Sequence, residues 1–254
     1  MSNGHVNLKI ENGIATVTFF HPQSNSLPGS LLRELAATIA KAGADPQATV
    51  IILNSEGEKA FCAGASFDEL VAISNTEEGT AFFSGFAGVI NAMRTAPKFV
   101  IARIQGKAVG GGVGLASAAD YTLAHVSASV KLSELAVGIG PFVVGPAVER
   151  KIGTSAFSQL TIDASSWKDA RWAREKGLYA EVYETHEDLD AAVAKLSGIL
   201  SQSNPEAMMM LKRIMWEGTE NWDQLLLDRA AMSGKLVLSD FTRNAIGKFK
   251  QGAR

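Results

Sequence analysis

The segment that most constrains this chain is Gly106-Lys107-Ala108-Val109-Gly110-Gly111-Gly112-Val113-Gly114. The apolar run Lys98-Phe99-Val100-Ile101-Ala102 before it reads as a short buried strand. Small residues up to Asp120 suit a closely packed helix, and Tyr121-Thr122-Leu123-Ala124 reads as the next strand. A strand, a glycine cluster and a helix start make an anion-holding turn. Glycine admits positive φ and a close ligand approach, and the first N–H groups of a helix lack intrahelical partners at the positive end of the dipole. Such a turn holds a phosphate or the oxygen of a reacting carbonyl. The run lacks the Gly-Lys-Ser/Thr ending of a phosphate loop and the G-x-G-x-x-G spacing of a dinucleotide site. A tight turn without a ligand is the plain alternative.

A second segment, Ala60-Phe61-Cys62-Ala63-Gly64-Ala65-Ser66-Phe67-Asp68-Glu69-Leu70, follows the apolar strand pattern Val50-Ile51-Ile52-Leu53-Asn54. Ser66 with Glu69 three residues on has capping-box spacing and predicts another helix start. Two small-residue loops ending at helix N-termini supply the two backbone donors of an oxyanion hole, where charge developing on one oxygen meets donors already in place.

Phe61-Cys62-Ala63-Gly64-Ala65 and Gly106-Lys107-Ala108-Val109-Gly110-Gly111-Gly112, with Pro22-Gln23-Ser24-Asn25-Ser26-Leu27 ahead of them, resemble the ordered signatures of the crotonase superfamily, the enoyl-CoA hydratase/isomerase family. The resemblance covers nearly the whole chain. It implies an α/β fold, a crotonase-like spiral of repeated ββα units with a helical C-terminal region. It further implies a thioester substrate carried on coenzyme A, with the N–H groups of Ala65 and Gly111 polarising its carbonyl. Coenzyme A is then part of the substrate, and no separate cofactor is expected. The implied division is an acyl-CoA-binding core over 1–200 and a helical region over 201–254 that caps the site and mediates homotrimers, usually paired into homohexamers, so either a homotrimer or a homohexamer is expected.

Composition agrees with one globular domain, or one plus a helical appendage: 254 residues, 46% hydrophobic and 20% charged. The net charge of −2 argues against a general nucleic-acid or membrane surface, so an anionic cofactor must be met by local Lys and Arg. One cysteine permits no internal disulfide, and Cys62 reads as buried filler. No signal peptide or 18-residue apolar run is evident, and a cytoplasmic location is expected. His5 and His21 lack partners at metal-ligand spacing and read as surface histidines, so no metal is expected.

Residues 6–10 and 14–20 around Glu11-Asn12-Gly13 predict a β-hairpin. A helix is predicted from Pro28 to near Gly43, and another over 76–94 carrying Phe82, Phe83, Phe86, Val89, Ile90 and Met93 on one face. That aromatic stripe is ordinarily core; in the family the matching region helps line the acyl pocket. Beyond Pro146, short helices are predicted over 147–152, 155–160 and 167–175, a strand over 180–184, and longer helices from Leu189, over 205–216 and over 222–238. Met208-Met209-Met210 and Trp216 read as packing residues, and Asp120 as structural.

The block Val130-Lys131-Leu132-Ser133-Glu134-Leu135-Ala136-Val137-Gly138-Ile139-Gly140-Pro141 resembles the segment carrying a catalytic glutamate, which places that role on Glu134. Its apolar neighbours raise a carboxyl pKa towards working pH, as general acid/base chemistry requires. Hydratases of the family carry a second glutamate three positions after the oxyanion-hole glycine; here that position is Gly114. One-glutamate members are typically isomerases, so the resemblance implies Δ3-to-Δ2 enoyl-CoA isomerisation ahead of hydration. A non-catalytic acyl-CoA-binding protein is the alternative of a different class. The loop over 138–145 holds no Asp, His or Trp, which disfavours dehalogenase-type chemistry. Catalytic candidates are therefore Glu134, Ala65 and Gly111. Candidate substrate contacts are Lys59, Ala63, Ser66, Phe67, Asp68 and Gly110 around the two loops, with Ser24 and Ser26 from the preceding turn; Lys59 is a candidate for CoA phosphates, ahead of the basic cluster Lys248-Phe249-Lys250.

Overall fold

In a computed structural model describing residues 4–252, with side chains through residue 248, the predicted hairpin forms from β1 (His5–Glu11) and β2 (Ile14–Phe20), antiparallel with Glu11 opposite Ile14. The short β3 (Ser26–Leu27) leads into α1 (Gly29–Ala44), whose Leu31, Leu32, Leu35 and Ile39 are buried as their helical spacing requires. The chain then repeats one pattern three times. A long strand joins a six-stranded sheet, a short strand joins a second sheet, and a helical segment closes the turn. The first repeat is β4 (Val50–Ser55), β5 (Ala60–Cys62), the two-residue β6 (Gly64–Ala65), then α2 (Phe67–Ala72) and α3 (Thr76–Thr95). The second is β7 (Phe99–Ile104), β8 (Lys107–Val109) and α4 (Gly111–Ala118). The third is β9 (Tyr121–His125), β10 (Val130–Lys131), a 3-10 turn over Leu135–Val137 and α5 (Gly145–Ile162).

The six-stranded sheet runs β1-β2-β4-β7-β9 and ends on β11 (Glu181–Tyr183); the inner sheet is β10-β8-β5, and β3 pairs β6. Apart from the hairpin all these pairs are parallel. Parallel strands covered on both faces read as continuous apolar runs. That is why Val50, Ile51, Ile52 and Leu53 are all buried: Ile51 and Leu53 belong to the main core, while Val50 and Ile52 meet Leu189 and Val193 of α7 (His186–Ser201) on the other face. This is the ββα spiral expected for the fold.

Several boundaries differ from expectation. The predicted helix over 167–175 starts later, as α6 (Ala170–Glu175), because the Asp169 side chain caps it by accepting from the Trp172 N–H at 2.7 Å. Lys168 instead bridges to Val130. The helices predicted over 147–152 and 155–160 lie end to end in α5, broken by Gly153 at φ 76°. After α8 (Pro205–Met215) and α9 (Trp222–Leu236) comes a further helix, α10 (Asp240–Gly252), which the periodicity had not separated. Met208 packs as predicted, but Met210 is 54% exposed. α9 crosses α3 where glycines meet: a Cβ on Gly79 would stand 2.8 Å from the Gly234 Cα.

Candidate active site

The first loop is built on Asn25, which is buried. Its Oδ1 accepts from the His21 N–H at 2.8 Å, and its Nδ2 donates to the carbonyls of Glu56 and Ala60 at 2.8 and 3.0 Å. The adjacent Ser24 carbonyl accepts from the Ala63 N–H at 3.2 Å. Ser26 and Leu27 run parallel to Gly64 and Ala65, and the Ser26 hydroxyl donates to the Ala65 carbonyl at 2.8 Å. The Ser66 N–H then donates to Leu27 O at 2.9 Å. The early turn is thus the clamp that orients the peptide of Ala65. Ser66 caps α2, its Oγ accepting from the Glu69 N–H at 3.3 Å. The reciprocal half of the expected capping box is absent: the Glu69 carboxylate accepts instead from Gly29 N, 2.8 Å away at the start of α1.

The second loop turns at Gly110, with φ 53° and ψ −113°, a conformation that an L side chain disfavours. Gly111 is the first residue of α4, so its N–H has no acceptor within the helix. A Cβ on Gly64 would lie 3.2 Å from Val109 O and 3.8 Å from Gly111 N, so the two loops abut. Two sequence-distant motifs therefore bring Ala65 and Gly111 onto neighbouring loops.

Glu134 follows β10 and opens the 3-10 turn; its carbonyl accepts from Val137 N and Ile139 N. Its carboxyl lies against the Gly110 backbone: Oε1 is 3.0 Å from where a Cβ on that glycine would stand. Its Oε2 is buried with no hydrogen-bond partner. Burial pushes the carboxyl pKa up to about 7, opposed only by a hydrogen bond from its own backbone. A buried carboxyl with an unused oxygen beside a helix N-terminus is equipped to exchange a proton with a bound molecule.

The rest of the wall is apolar. The Phe86 ring lies on the Cα of Gly111, where a Cβ would come within 2.2 Å of Cζ, and Val144 lies on Gly114. Phe82 packs edge-on against Phe83 with centroids 5.0 Å apart, and of the three phenylalanines on α3 it is Phe86 that lies against Gly111. Cys62 is fully buried and its thiol is pushed up to about 12, in keeping with a packing role. Lys59 is exposed at the rim, and Asp68 is exposed with its carboxylate accepting from Gln23 Nε2 at 3.2 Å. Phe67 is 36% exposed. Lys248 is exposed near the end of α10; the side chains of Phe249 and Lys250 lie outside the described residues. A cavity of about 480 Å³ lies elsewhere, on the six-stranded sheet, where Arg103 pairs with Asp190 and Lys9 with Glu11. In the sequence Val144 reads only as one of the apolar neighbours of Glu134; its contact with Gly114 joins two elements and leaves no linear signal.

This combination of a ββα spiral, two abutting small-residue loops and a buried glutamate defines a class. The chain belongs to the Enoyl-CoA hydratase/isomerase family, which it matches over residues 9–245, and has the crotonase fold. It is 31% identical to the short-chain-enoyl-CoA hydratase of Clostridium acetobutylicum, over 98% of this chain and 95% of that one. It is 34% identical to the mitochondrial methylglutaconyl-CoA hydratase of Homo sapiens over 77% of this chain, which spans only 58% of the human protein's length. Among solved structures, an enoyl-CoA hydratase from Bacillus halodurans superimposes with a TM-score of 0.88 at 21% identity, over 96% of this chain and 99% of that one. One from Mycobacterium avium gives 0.86 at 26%, over 97% and 96%.

Proposed function

We propose that the protein moves the C=C bond of a 3-enoyl-CoA thioester to the 2-position, with Glu134 as the only proton carrier. The observation that carries this reading is the buried Glu134 carboxyl, with an unpartnered Oε2, set beside the Gly110–Gly111 turn while Gly114 offers no second carboxylate. The Glu134 carboxylate takes a proton from C2, and the electron pair moves onto the thioester oxygen. The enolate is held by the N–H groups of Ala65 and Gly111. The electrons then return through the former C=C bond, and Glu134 gives its proton to C4. Nothing is added or lost, so the step uses no group besides the substrate and these residues. Each fixed oxyanion donor contributes on the order of 10²–10³ in rate, and the carboxylate on the order of 10²–10⁴.

Hydration of a 2-enoyl-CoA is the second reading, favoured by the hydratase names of the relatives. The discriminating assay follows absorbance of the conjugated thioester on a 3-enoyl-CoA and a 2-enoyl-CoA, with Glu134→Gln as control. Conjugation appearing from the first substrate and lost in the variant supports isomerisation; conjugation disappearing from the second at comparable rate overturns that order. A non-catalytic acyl-CoA-binding protein would turn over neither and would bind acyl-CoA equally well after Glu134→Gln.

Assembly as a homotrimer or a pair of trimers belongs to the same proposal. It is supported by the exposed apolar side chains Met210, Leu211, Ile214 and Met215 along α8, a stripe that a soluble monomer leaves costly. A monomer in sedimentation equilibrium refutes it.

A further inference from the structure

Glu134 and Val144 lie on two glycines four residues apart at the start of α4: Gly110, its N-cap, and Gly114 within it. The Gly114 N–H donates to the Gly110 carbonyl at 3.2 Å, so these glycines stack about one turn apart. The Glu134 carboxyl lies on the first. On the second, a Cβ would stand 2.5 Å from Val144 Cγ1, 2.8 Å from Val144 Cβ and 3.6 Å from Ile90 Cδ1. Gly114 is therefore more than a missing side chain: the space a side chain there would enter, one turn from the glycine that the carboxyl contacts, is already filled. Val144 is buried and β-branched, and it sits at the N-terminus of α5, with its carbonyl accepting from Val148 N at 3.0 Å. It has little rotameric freedom with which to withdraw. A water molecule held next to Glu134 needs two or more polar partners, and Phe86, Ile90 and Val144 have no polar side-chain atom.

We propose that Val144 determines the reaction specificity of the site, its isopropyl group excluding from the face beside Glu134 both a second carboxylate and the water that such a group would orient. This rests on the isomerase reading above and adds to it the residue that keeps water out. Alanine at 144 would leave the Cβ in place, so the informative exchange is Gly114→Glu with Val144→Gly.

The test compares the full-length wild type, Val144→Gly, Gly114→Glu and the double exchange on 3-enoyl-CoA and 2-enoyl-CoA. The expected result is that the double exchange hydrates the 2-enoyl thioester about 100-fold faster than the wild type, while Gly114→Glu alone does not. A double exchange that folds, still isomerises and adds no water overturns the inference, as does a wild type that hydrates as fast as it isomerises. A wild type that converts neither substrate refutes the isomerase reading instead, and the packing claim is then decided by stability. Gly114→Ala is expected to lower Tm in the Val144 background and not in the Val144→Gly background; additive effects of the two substitutions overturn it.

Discussion

Lys212 and Asp120 meet at 2.9 Å in an ion pair whose side chains are each 3% exposed. The lysine also donates to the carbonyls of Met93 and Lys98, at 2.7 and 2.8 Å. The aspartate further accepts from Val100 N and Trp216 Nε1, both at 2.7 Å. One buried carboxylate thus ties α8 to the strand that feeds the glycine turn and to the far end of α4. Burial pulls the Lys212 ammonium below the usual lysine range, and Asp120 opposes that pull.

Removing one partner of such a pair strands the other. Lys212→Met is expected to destabilise the fold by about 3–5 kcal/mol, whereas Asp120→Asn/Lys212→Met together cost less than the sum of the single changes. Urea denaturation of the four proteins measures this; strict additivity would show the pair to be uncoupled.

The rate should follow Glu134. Burial pushes its carboxyl up to about 7, and on the proposed mechanism it is the ionised form that acts as base, so kcat/KM is expected to rise with pH and level off above that value. A pH–rate profile on a 3-enoyl-CoA checks this, and a limb centred near 4.5 would contradict the role of burial.

The same group makes a statement about stability, of opposite sense to that of a salt-bridged carboxylate. Its folded pKa lies above the ordinary 4.5, so the native state holds the proton more tightly. The stabilisation is complete below pH 4.5 and is lost as pH rises through about 7. Glu134→Gln should therefore gain on the wild type by about 3 kcal/mol between pH 4 and pH 8. Paired denaturation curves at the two pH values test it, and a constant difference would refute it.

Ser26→Ala removes the donor that fixes the Ala65 carbonyl. It is expected to cost about 1 kcal/mol of stability and, on the proposed mechanism, to lower kcat by about tenfold with KM changing less, because it loosens the Ala65 peptide that carries a proposed oxyanion donor. A loss confined to KM would point instead to direct substrate binding.

Much of this was legible in the sequence because it is local. The turn at Glu11-Asn12-Gly13, the helical spacing from Leu31 to Ile39 and the two small-residue loops are each written within about 20 residues, and all appear where expected. Parts joined across the chain were not legible. Asp120 reads as a structural residue, but its partner Trp216 lies 96 residues downstream. Glu69 has capping-box spacing, yet its carboxylate is taken by Gly29, 40 residues earlier, because β3 and β6 pair and occupy the Ser66 N–H. Val144 carries no periodic or motif signal, since its importance comes from a glycine on another helix.

Every residue of α4 is buried, and none of its side chains is larger than leucine. The helix contributes backbone and vacancy to the candidate site, while the side chains that lie against its first turns arrive from elsewhere: Phe86 from α3, Glu134 from the segment after β10, Val144 from the start of α5. On the proposed mechanism, the donor for the thioester oxygen and the side chains around it therefore come from different parts of the chain. On that reading, a few substitutions among those visitors would change the reaction and leave the grip as it stands.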